Sequence, residues 1–292
     1  MKSTIFEKFN AASEHEPRHK EWTEYINAGG RGTGLNEVLP KDPQTGITKS
    51  LIELGDSDTA IEYHIRLARA VGYGNIVVGA GDHQNVAKHL ENEVWKHEDL
   101  AVATTEKQED TGGDLIKAVR SPENKFGKYV LIKNVDTFVL LDEDEVMAQH
   151  EASGAGATFV VSERKGMKNY NALVVGWDGR ILGNDEAADT SEDPAYDEKD
   201  VAYRASSTGI IAINTDILKE YPWQPGDGPL SIYRDVLPEL MRQGKLHAYN
   251  NRELMMYDVG KKESYQKTIQ NPAFIKILQE FEKQLKSKHS PV

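Results

Sequence analysis

The chain contains no cysteine, so disulfides, thiolate nucleophiles and cysteine-based zinc sites are excluded. It has no run of about 20 apolar residues that could span a bilayer, and its N-terminus lacks the apolar segment of a signal peptide. Positive charge is in the minority, since 35 Lys and Arg face 47 Asp and Glu for a net charge of −12. General binding to nucleic-acid backbone needs a surplus of Lys and Arg. These absences predict a cytoplasmic protein that binds neither nucleic acid nor membrane.

Glycine, by contrast, forms a cluster near the start of the chain, where four of the 24 glycines fall within six positions. The stretch Asn27-Ala28-Gly29-Gly30-Arg31-Gly32-Thr33-Gly34-Leu35 directly follows a short strand pattern at residues 22–26. Glycine lets backbone amides approach a ligand closely, and successive amides in such a turn form an anion-binding concavity. A phosphate cradle and an ordinary tight loop explain the glycines alone equally well.

The residues after this glycine loop exclude two familiar phosphate motifs. Pro40 and Pro43 prevent a helix from starting at the glycines, as a dinucleotide-binding fingerprint requires. A P-loop needs Gly-Lys-Ser/Thr, whereas Lys49-Ser50 follows Thr48. What remains is a strand, a glycine loop, an irregular excursion and then a lysine.

Strand and helix patterns alternate along the first half of the chain, which is typical of βαβ units and a mainly parallel sheet. Strands are predicted at residues 51–54, 75–80, 100–104, 129–132 and 157–161, and helices at 59–71, 84–95, 114–119 and 142–153. Later, residues 172–176 and 180–182 flank Trp177-Asp178-Gly179, which predicts a hairpin. Further patterns predict a strand at 207–213, a helix at 231–243 interrupted at Pro238, and a C-terminal helix that includes 274–285.

Two aspartates are candidate metal ligands. Ligands of open α/β sheets bind beyond the carboxyl ends of the strands, where Asp136, the glycine loop and the helix start at Gly112-Gly113 are expected to meet. Asp258 lies on a turn that ends at Gly260. Proteins usually bind Mg²⁺ through one or two carboxylates together with substrate phosphates. Taken singly, each aspartate is more commonly a cap or turn residue.

Six blocks, in order between Tyr25 and Tyr265, resemble the sugar-1-phosphate nucleotidyltransferase family. The glycine loop is similar to Gly-Gly-x-Gly-Thr-Arg-Leu, and residues 48–52 to Pro-Lys-Pro-Leu-Ile. Residues 111–113 resemble Gly-Thr-Gly-Gly, residues 134–137 resemble Asn-Gly-Asp-Thr, and residues 208–210 resemble Asn-x-Gly-Ile. Residues 257–260 with 263–265 resemble Trp-x-Asp-Val-Gly-Thr-Pro-Glu-Ser-Tyr.

The resemblance implies an α/β fold, a Rossmann-like three-layer sandwich with a mixed, mainly parallel central sheet (GT-A-like nucleotidyltransferase fold). It implies transfer of a nucleotidyl group from a nucleoside triphosphate to a sugar-1-phosphate, with release of pyrophosphate and dependence on Mg²⁺. Asp136 and Asp258 would hold the metal, and Lys49, Arg31 and Asp136 would act in catalysis. Contacts to the substrates fall on Gly29, Gly30, Gly32, Thr33, Glu106, Gln108, Gly112, Thr208 and Gly209.

The resemblance also suggests how the chain is divided. Residues 1–21 form an N-terminal extension, and residues 22–292 a single nucleotidyltransferase domain. Within that domain, residues 22–165 are the nucleotide-binding half, 166–265 the sugar-phosphate-binding half, and 266–292 the C-terminal helix. The acidic stretch 184–200 is expected to be a solvated surface loop, with a lid as the alternative.

Some residues depart from the family pattern and leave alternatives open. Gly34 stands where the family has arginine, Lys49 lacks its flanking prolines, and Asp197-Glu198-Lys199 is only a poor counterpart of the family's Glu-Lys-Pro. One alternative is a catalytically impaired homologue that binds nucleotide or sugar phosphate as a regulatory subunit. Another is a metal-dependent glycosyltransferase, for which Asp142-Glu143-Asp144 supplies the letters Asp-x-Asp at a helix start, where acids are also expected as caps. The base, the sugar and the oligomeric state are not determined, and a homo-oligomer is compatible with the sequence.

Overall fold

The structure is a computed structural model that describes residues 17–30, 35, 48–54, 58–91, 95, 97–163, 172–184, 196–252, 254–269 and 271–289. The predictions for Arg31, Gly32, Thr33 and Gly34 lie outside the described residues, as do most of the N-terminal extension and of the acidic stretch. In the described part, no helix combines the length and the apolar character needed to cross a membrane.

The first half of the chain builds a parallel four-stranded unit in the order β6-β1-β4-β5. These strands are β1 (His19–Asn27), β4 (Tyr73–Gly81), β5 (Leu100–Thr104) and β6 (Tyr129–Asn134). β1 is central, with Ile26 paired to Val78 of β4 on one side and to Lys133 of β6 on the other. All four strands therefore end at one edge, as the alternating pattern predicts.

The second half extends the sheet with antiparallel strands. β11 (Val201–Asn214) pairs with β6, with β8 (Ala157–Ser162) and with β9 (Ala172–Gly176). β10 (Ile181–Asn184) forms the predicted hairpin with β9, and β12 (Leu246–Asn250) lies parallel to β8. The described residues thus form a mixed nine-stranded sheet.

Two short ribbons stand apart from this sheet. β2 (Glu53–Leu54) pairs with β3 (Asp58–Thr59), and β7 (Thr137–Leu140) pairs with β13 (Met255–Asp258). In the second ribbon Asp258 lies directly opposite Thr137, the neighbour of Asp136. Backbone pairing therefore brings the two candidate metal ligands to the same place.

Helices cover both faces of the sheet because side chains alternate between the faces along each strand. On β1, Trp22 and Ile26 enter one apolar core, and Tyr25 enters the other. The first core is closed by α1 (Ala60–Val71), α2 (Gln84–Leu90), α4 (Glu143–Ser153) and α8 (Pro272–His289), which follows α7 (Lys262–Ile269). The second core is closed by α3 (Asp110–Arg120), α5 (Thr215–Glu220) and α6 (Leu237–Arg242). The predicted three-layer sandwich is confirmed.

The boundaries of α1 show why this segment is helical. Thr59 accepts a hydrogen bond from the Glu62 amide, and Glu62 accepts one from the Thr59 amide, which completes a capping box. Gly72 ends the helix with φ 91°, in the left-handed region that glycine adopts most easily. Between these caps, residues at helical spacing face the first core.

Three sequence predictions need correction. Residues 51–54 are not one strand, since a 3-10 turn at Lys49–Leu51 precedes the two residues of β2. The helix predicted to reach residue 95 ends at Leu90. The helix predicted over 231–243 is not broken at Pro238 but changes type just before it, from a π-helical turn at Ile232–Val236 to α6, with Pro238 in the first turn of α6.

A buried polar cluster lies in the core beneath the edge where β1 and β6 end. Lys133 Nζ is 2.5 Å from Glu143 Oε1 and 3.0 Å from Glu24 Oε2, and the Tyr73 hydroxyl donates to Glu143 Oε2 at 2.5 Å. The contact with Glu24 is an ion pair without hydrogen-bond geometry. Burial raises the pKa of Glu24 to about 8, with Lys133 opposing and Glu143 adding to the shift.

Candidate functional site

The glycine loop begins at the carboxyl edge of the parallel strands. Asn27, the last residue of β1, donates from Nδ2 to Asn134 Oδ1 at the end of β6, at 3.2 Å. Gly29 packs on the backbone of β4, and a Cβ at this position would lie 3.1 Å from the Gly81 Cα. The start of the loop therefore requires glycine for close backbone packing.

Lys49 is positioned by a 3-10 turn rather than by flanking prolines. The buried Ser50 hydroxyl donates to the Ala28 carbonyl at 2.8 Å, which ties this turn to the glycine loop. Asn85 Nδ2 donates to Thr48 Oγ1 at 2.7 Å on the other side. Thr48 and Ser50, which replace the two prolines of the resembled motif, thus hold the lysine turn by hydrogen bonds.

Two carboxylates and the Lys49 ammonium converge on Gly260. A Cβ at Gly260 would lie 2.6 Å from Asp136 Oδ2, 3.0 Å from Asp258 Oδ1 and 3.1 Å from Lys49 Nζ. Lys49 Nζ pairs with Asp136 Oδ2 at 2.6 Å, and the Gly260 amide donates to Asp258 Oδ1 at 2.7 Å. The Val259 amide donates to the Asp136 carbonyl at 2.9 Å, which closes the turn over the ribbon. Glycine at position 260 keeps open a notch between these charged groups.

The two carboxylates beside this notch are donors of the kind that a hard divalent cation prefers. Mg²⁺ prefers oxygen ligands and is usually held by one or two carboxylates plus substrate phosphates. Asp136 and Asp258 supply two such carboxylates, and the described residues contain no group of three or more His, Asp or Glu side chains arranged for a metal. A magnesium ion held by these two carboxylates would take its remaining ligands from water and from substrate phosphates.

Two adjoining pockets open at this edge. The glycine-loop pocket is a cleft of about 220 Å³ whose own residues include Asn27, Gly30 and Thr111. The carboxylate pocket is a cleft of about 310 Å³ whose own residues include Ser207, Thr208, Gly209, Asp258, Gly260 and Lys261. Both pockets share Lys49, Asn134, Asp136 and Tyr233. The shared residues mark the boundary where groups bound in the two pockets would meet.

Tyr233 is a site residue that sequence reasoning missed. It projects from the π-helical turn, a rare geometry that is frequent at functional sites. Its hydroxyl donates to the Gly209 carbonyl and accepts from Asn134 Nδ2, both at 3.1 Å. Burial raises the pKa of Tyr233 to about 12, so the hydroxyl keeps its proton at neutral pH. A hydrogen-bonded chain therefore runs from Asn27 through Asn134 and Tyr233 to β11.

Several predicted residues do lie together. Gly30, Lys49, Asp136, Thr208, Gly209 and Asp258 all line one or both pockets. The Thr208 side chain turns inward and donates to the Val160 carbonyl at 2.8 Å, so its hydroxyl is already used in the fold. Lys261 was not predicted as a site residue, although it directly follows the Asp258-Val259-Gly260 block.

Three other residues that were predicted to contact the substrates do not line either pocket. Glu106 is exposed and lines neither pocket. Gln108 Nε2 donates to the Gly29 carbonyl at 2.6 Å and so braces the glycine loop. The Gly112 amide donates to the Leu230 carbonyl at 2.8 Å, and the neighbouring Thr111 is the residue that reaches the glycine-loop pocket. The roles assigned to these residues stay predictions, as do those of Arg31, Gly32 and Thr33.

Two acidic patterns lie away from the pockets. In Asp142-Glu143-Asp144, Lys288 Nζ lies 2.6 Å from Asp142 Oδ2 and 3.0 Å from Asp144 Oδ2, and Glu143 belongs to the buried cluster. Residues 197–199 lie at an exposed 3-10 turn, and none of them lines either pocket. The first pattern anchors α8 to the start of α4, and the second lies outside the described lining of both pockets.

The chain is similar to several known proteins. No protein-family model matches the chain. It is 27% identical over 171 residues to bifunctional protein GlmU of Geobacter sulfurreducens, which covers 58% of this chain and 33% of that protein. It is 26% identical over 150 residues to glucose-1-phosphate adenylyltransferase of Koribacter versatilis, which covers 47% and 35% of the two chains. The chain resembles sugar-1-phosphate nucleotidyltransferases.

That resemblance, inferred from the six blocks, is confirmed. The chain spans about a third of the length of the curated relatives it matches. Among solved structures, HddC from Yersinia pseudotuberculosis superposes with a TM-score of 0.62 at 17% identity, covering 85% of this chain and 98% of that one. HddC complexed with GMP-PN gives a TM-score of 0.60 at 16% identity, with the same coverage. At these identities the structures show a shared fold.

Proposed function

We propose that this chain transfers a nucleotidyl group from a nucleoside triphosphate to a sugar-1-phosphate, giving a nucleoside diphosphate sugar and pyrophosphate with Mg²⁺ as cofactor. The observation that carries the proposal is the convergence of Asp136, Asp258 and Lys49 on the notch at Gly260. Phosphoryl-transfer sites work by positioning and by neutralising charge, and this arrangement supplies both.

The two pockets divide the substrates. Gly30 of the glycine loop lines the glycine-loop pocket, which suits the phosphates of the nucleotide, because glycine lets a backbone amide approach a ligand closely. The carboxylate pocket, on the β11 side, is left for the sugar-1-phosphate. Lys49 and Asp136 line both, so the new bond would form beside them.

The reaction needs no protein nucleophile. An oxygen of the sugar-1-phosphate attacks the α-phosphorus in line, a new P–O bond forms, and the bond to the β-phosphate breaks as pyrophosphate leaves. Asp136 and Asp258 would hold Mg²⁺, which when bound supplies neutralisation of phosphate charge. Lys49 lies at the boundary of the two pockets, where its ammonium can exchange the Asp136 carboxylate for a phosphate oxygen.

A substrate screen tests the proposal. The protein is incubated with Mg²⁺, each nucleoside triphosphate and a panel of sugar-1-phosphates, and pyrophosphate release is measured. We expect release with at least one pair, and a fall of about 10²-fold or more in Asp136→Asn and Asp258→Asn, because each removes charge at the notch. Asp216→Asn is the matched control, since Asp216 is exposed and pairs only loosely with Lys219, at 3.7 Å.

The outcomes separate the alternatives. Full activity in both notch variants contradicts the metal assignment. Nucleotide binding without pyrophosphate release from any pair supports a regulatory homologue instead of an enzyme. Transfer of a sugar from a nucleotide sugar, without pyrophosphate release, supports the glycosyltransferase alternative.

A further inference from the structure

We propose that Lys261 binds the phosphate of the acceptor substrate in the carboxylate pocket. This inference rests on the proposed function, because it assumes that the acceptor is a phosphorylated sugar. Neither the six sequence blocks nor the known relatives assign this contact to Lys261.

The backbone carbonyl of Lys261 is held by hydrogen bonds, and the residue lines the carboxylate pocket. Its carbonyl accepts from the Tyr265 amide at 2.8 Å and from the Ser264 hydroxyl at 3.0 Å, at the start of α7. Gly260 precedes it in the notch, and the residue as a whole is exposed and lines the carboxylate pocket. A long cationic side chain is therefore anchored at the edge of the notch.

The charges in the pocket favour this lysine as the partner of an incoming anion. Two carboxylates, Asp136 and Asp258, line the carboxylate pocket together with two lysines. Lys49 is already neutralised by Asp136 at 2.6 Å. Lys261 makes no ion pair with any residue in the described part of the chain. Among the described residues that line this pocket, Lys261 thus carries the positive charge that a phosphate can recruit without first breaking an ion pair.

The location of Lys261 favours a contact with the acceptor over a contact with the nucleotide. Lys261 lines the carboxylate pocket but not the glycine-loop pocket, and the residues shared by the two pockets lie between them. Ser207, Gly209 and Lys261 line the same carboxylate pocket, so an anion bound beside Ser207 and Gly209 can reach Lys261, whereas Gly30 lines only the other pocket. The geometry assigns Lys261 to the acceptor phosphate.

Steady-state kinetics test the assignment with Lys261→Met, Lys261→Arg and the control Lys267→Met. Lys267 is an exposed lysine of α7 outside both pockets, so its replacement changes net charge equally. We expect Lys261→Met to raise KM for the acceptor by about 10- to 100-fold, the range of a hydrogen bond to a charged group, while KM for the nucleotide stays within about twofold. Lys261→Arg should recover much of the loss, because it retains the charge.

A direct binding measurement separates this inference from the proposed function. Isothermal titration of the nucleotide-free protein with α-D-glucose 1-phosphate and with inorganic phosphate should show weaker binding to Lys261→Met than to Lys267→Met. If no substrate pair releases pyrophosphate, the proposed function fails, and the titration still decides whether Lys261 binds phosphate. Equal affinities in the two variants, no saturable binding to the unchanged protein, or a rise in the nucleotide KM instead of the acceptor KM would each overturn the assignment.

Discussion

Replacing Lys133 by methionine removes the ammonium that two buried carboxyl groups share. Lys133 is 4% exposed, Glu143 5% and Glu24 0%. Without the ammonium, Glu143 keeps only the Tyr73 hydroxyl among the described contacts of this cluster. The variant must therefore bury a carboxylate without a cation or take up a proton to neutralise it.

The expected destabilisation follows from this burial. Removing one partner of a buried ion pair costs about 3–5 kcal/mol, because the remaining charge is left uncompensated. That is a large share of the roughly 5–15 kcal/mol that stabilises most domains, and it corresponds to a fall in Tm on the order of 10 °C for a chain of this size. Lys125→Met, which removes an exposed lysine, should change the free energy of unfolding by no more than about 0.5 kcal/mol.

The same cluster makes stability depend on pH. The pKa of Glu24 rises from 4.5 to about 8 on folding, chiefly through burial. Between these values the folded state holds a proton that the unfolded state has lost, so stability falls as pH rises, by up to about 1.4 kcal/mol per pH unit. The glutamine of Glu24→Gln cannot ionise and is similar in shape to glutamate. The stability of this variant should therefore depend less on pH.

Chemical denaturation followed by tryptophan fluorescence measures both effects at a series of pH values between those two pKa values. A Lys133→Met protein within about 1 kcal/mol of the unchanged chain would refute the argument that its ammonium is required. A Glu24→Gln protein with an unchanged pH slope would show that Glu24 is ionised in the folded state.

Three further predictions concern single groups. Gly260→Ala places a methyl group 2.6 Å from Asp136 Oδ2, so turnover should fall by about 10²-fold with an unchanged circular dichroism spectrum; normal turnover would contradict the notch. Tyr233→Phe removes the hydroxyl that bridges Asn134 and Gly209 and should raise KM for the acceptor by about tenfold; an unchanged KM would mean that the bridge is dispensable. Thr59→Ala breaks the capping box and should lower the free energy of unfolding by about 1 kcal/mol without affecting turnover; equal denaturation midpoints would rule out that contribution.

The parallel half of the fold was predictable because most residues of three of its four strands, β1, β4 and β6, are buried, whereas β5 is half-buried. Such strands appear in the sequence as apolar runs, separated here by amphipathic helices with clear ends. The six ordered blocks then located Lys49, Asp136 and Asp258, and the structure brings these three residues together. Their catalytic and metal-binding roles stay predictions, as do the domain boundaries and the cytoplasmic location.

The remaining features depend on contacts between distant parts of the chain. In the sequence, Lys133 and Glu24 cannot be told from ordinary polar residues. Only the pairing of β1 with β6 reveals that they share one buried site. Tyr233 reaches the pocket through a π-helical turn, which has no local sequence signature. Gln108 was predicted to contact the substrates, yet its side chain donates to the Gly29 carbonyl. Motif spacing gives the position of a residue in the chain but not the direction of its side chain.

The ribbon of β7 and β13 makes the site depend on both halves of the chain. Asp136 and β7 precede β8 to β12 in the sequence, whereas Asp258 and β13 follow them. The pairing of Asp258 with Thr137 therefore closes a long loop that contains those five strands. An insertion or deletion between the two ribbon strands leaves the local sequence around each aspartate unchanged, yet it separates the two carboxylates if β13 no longer pairs with β7.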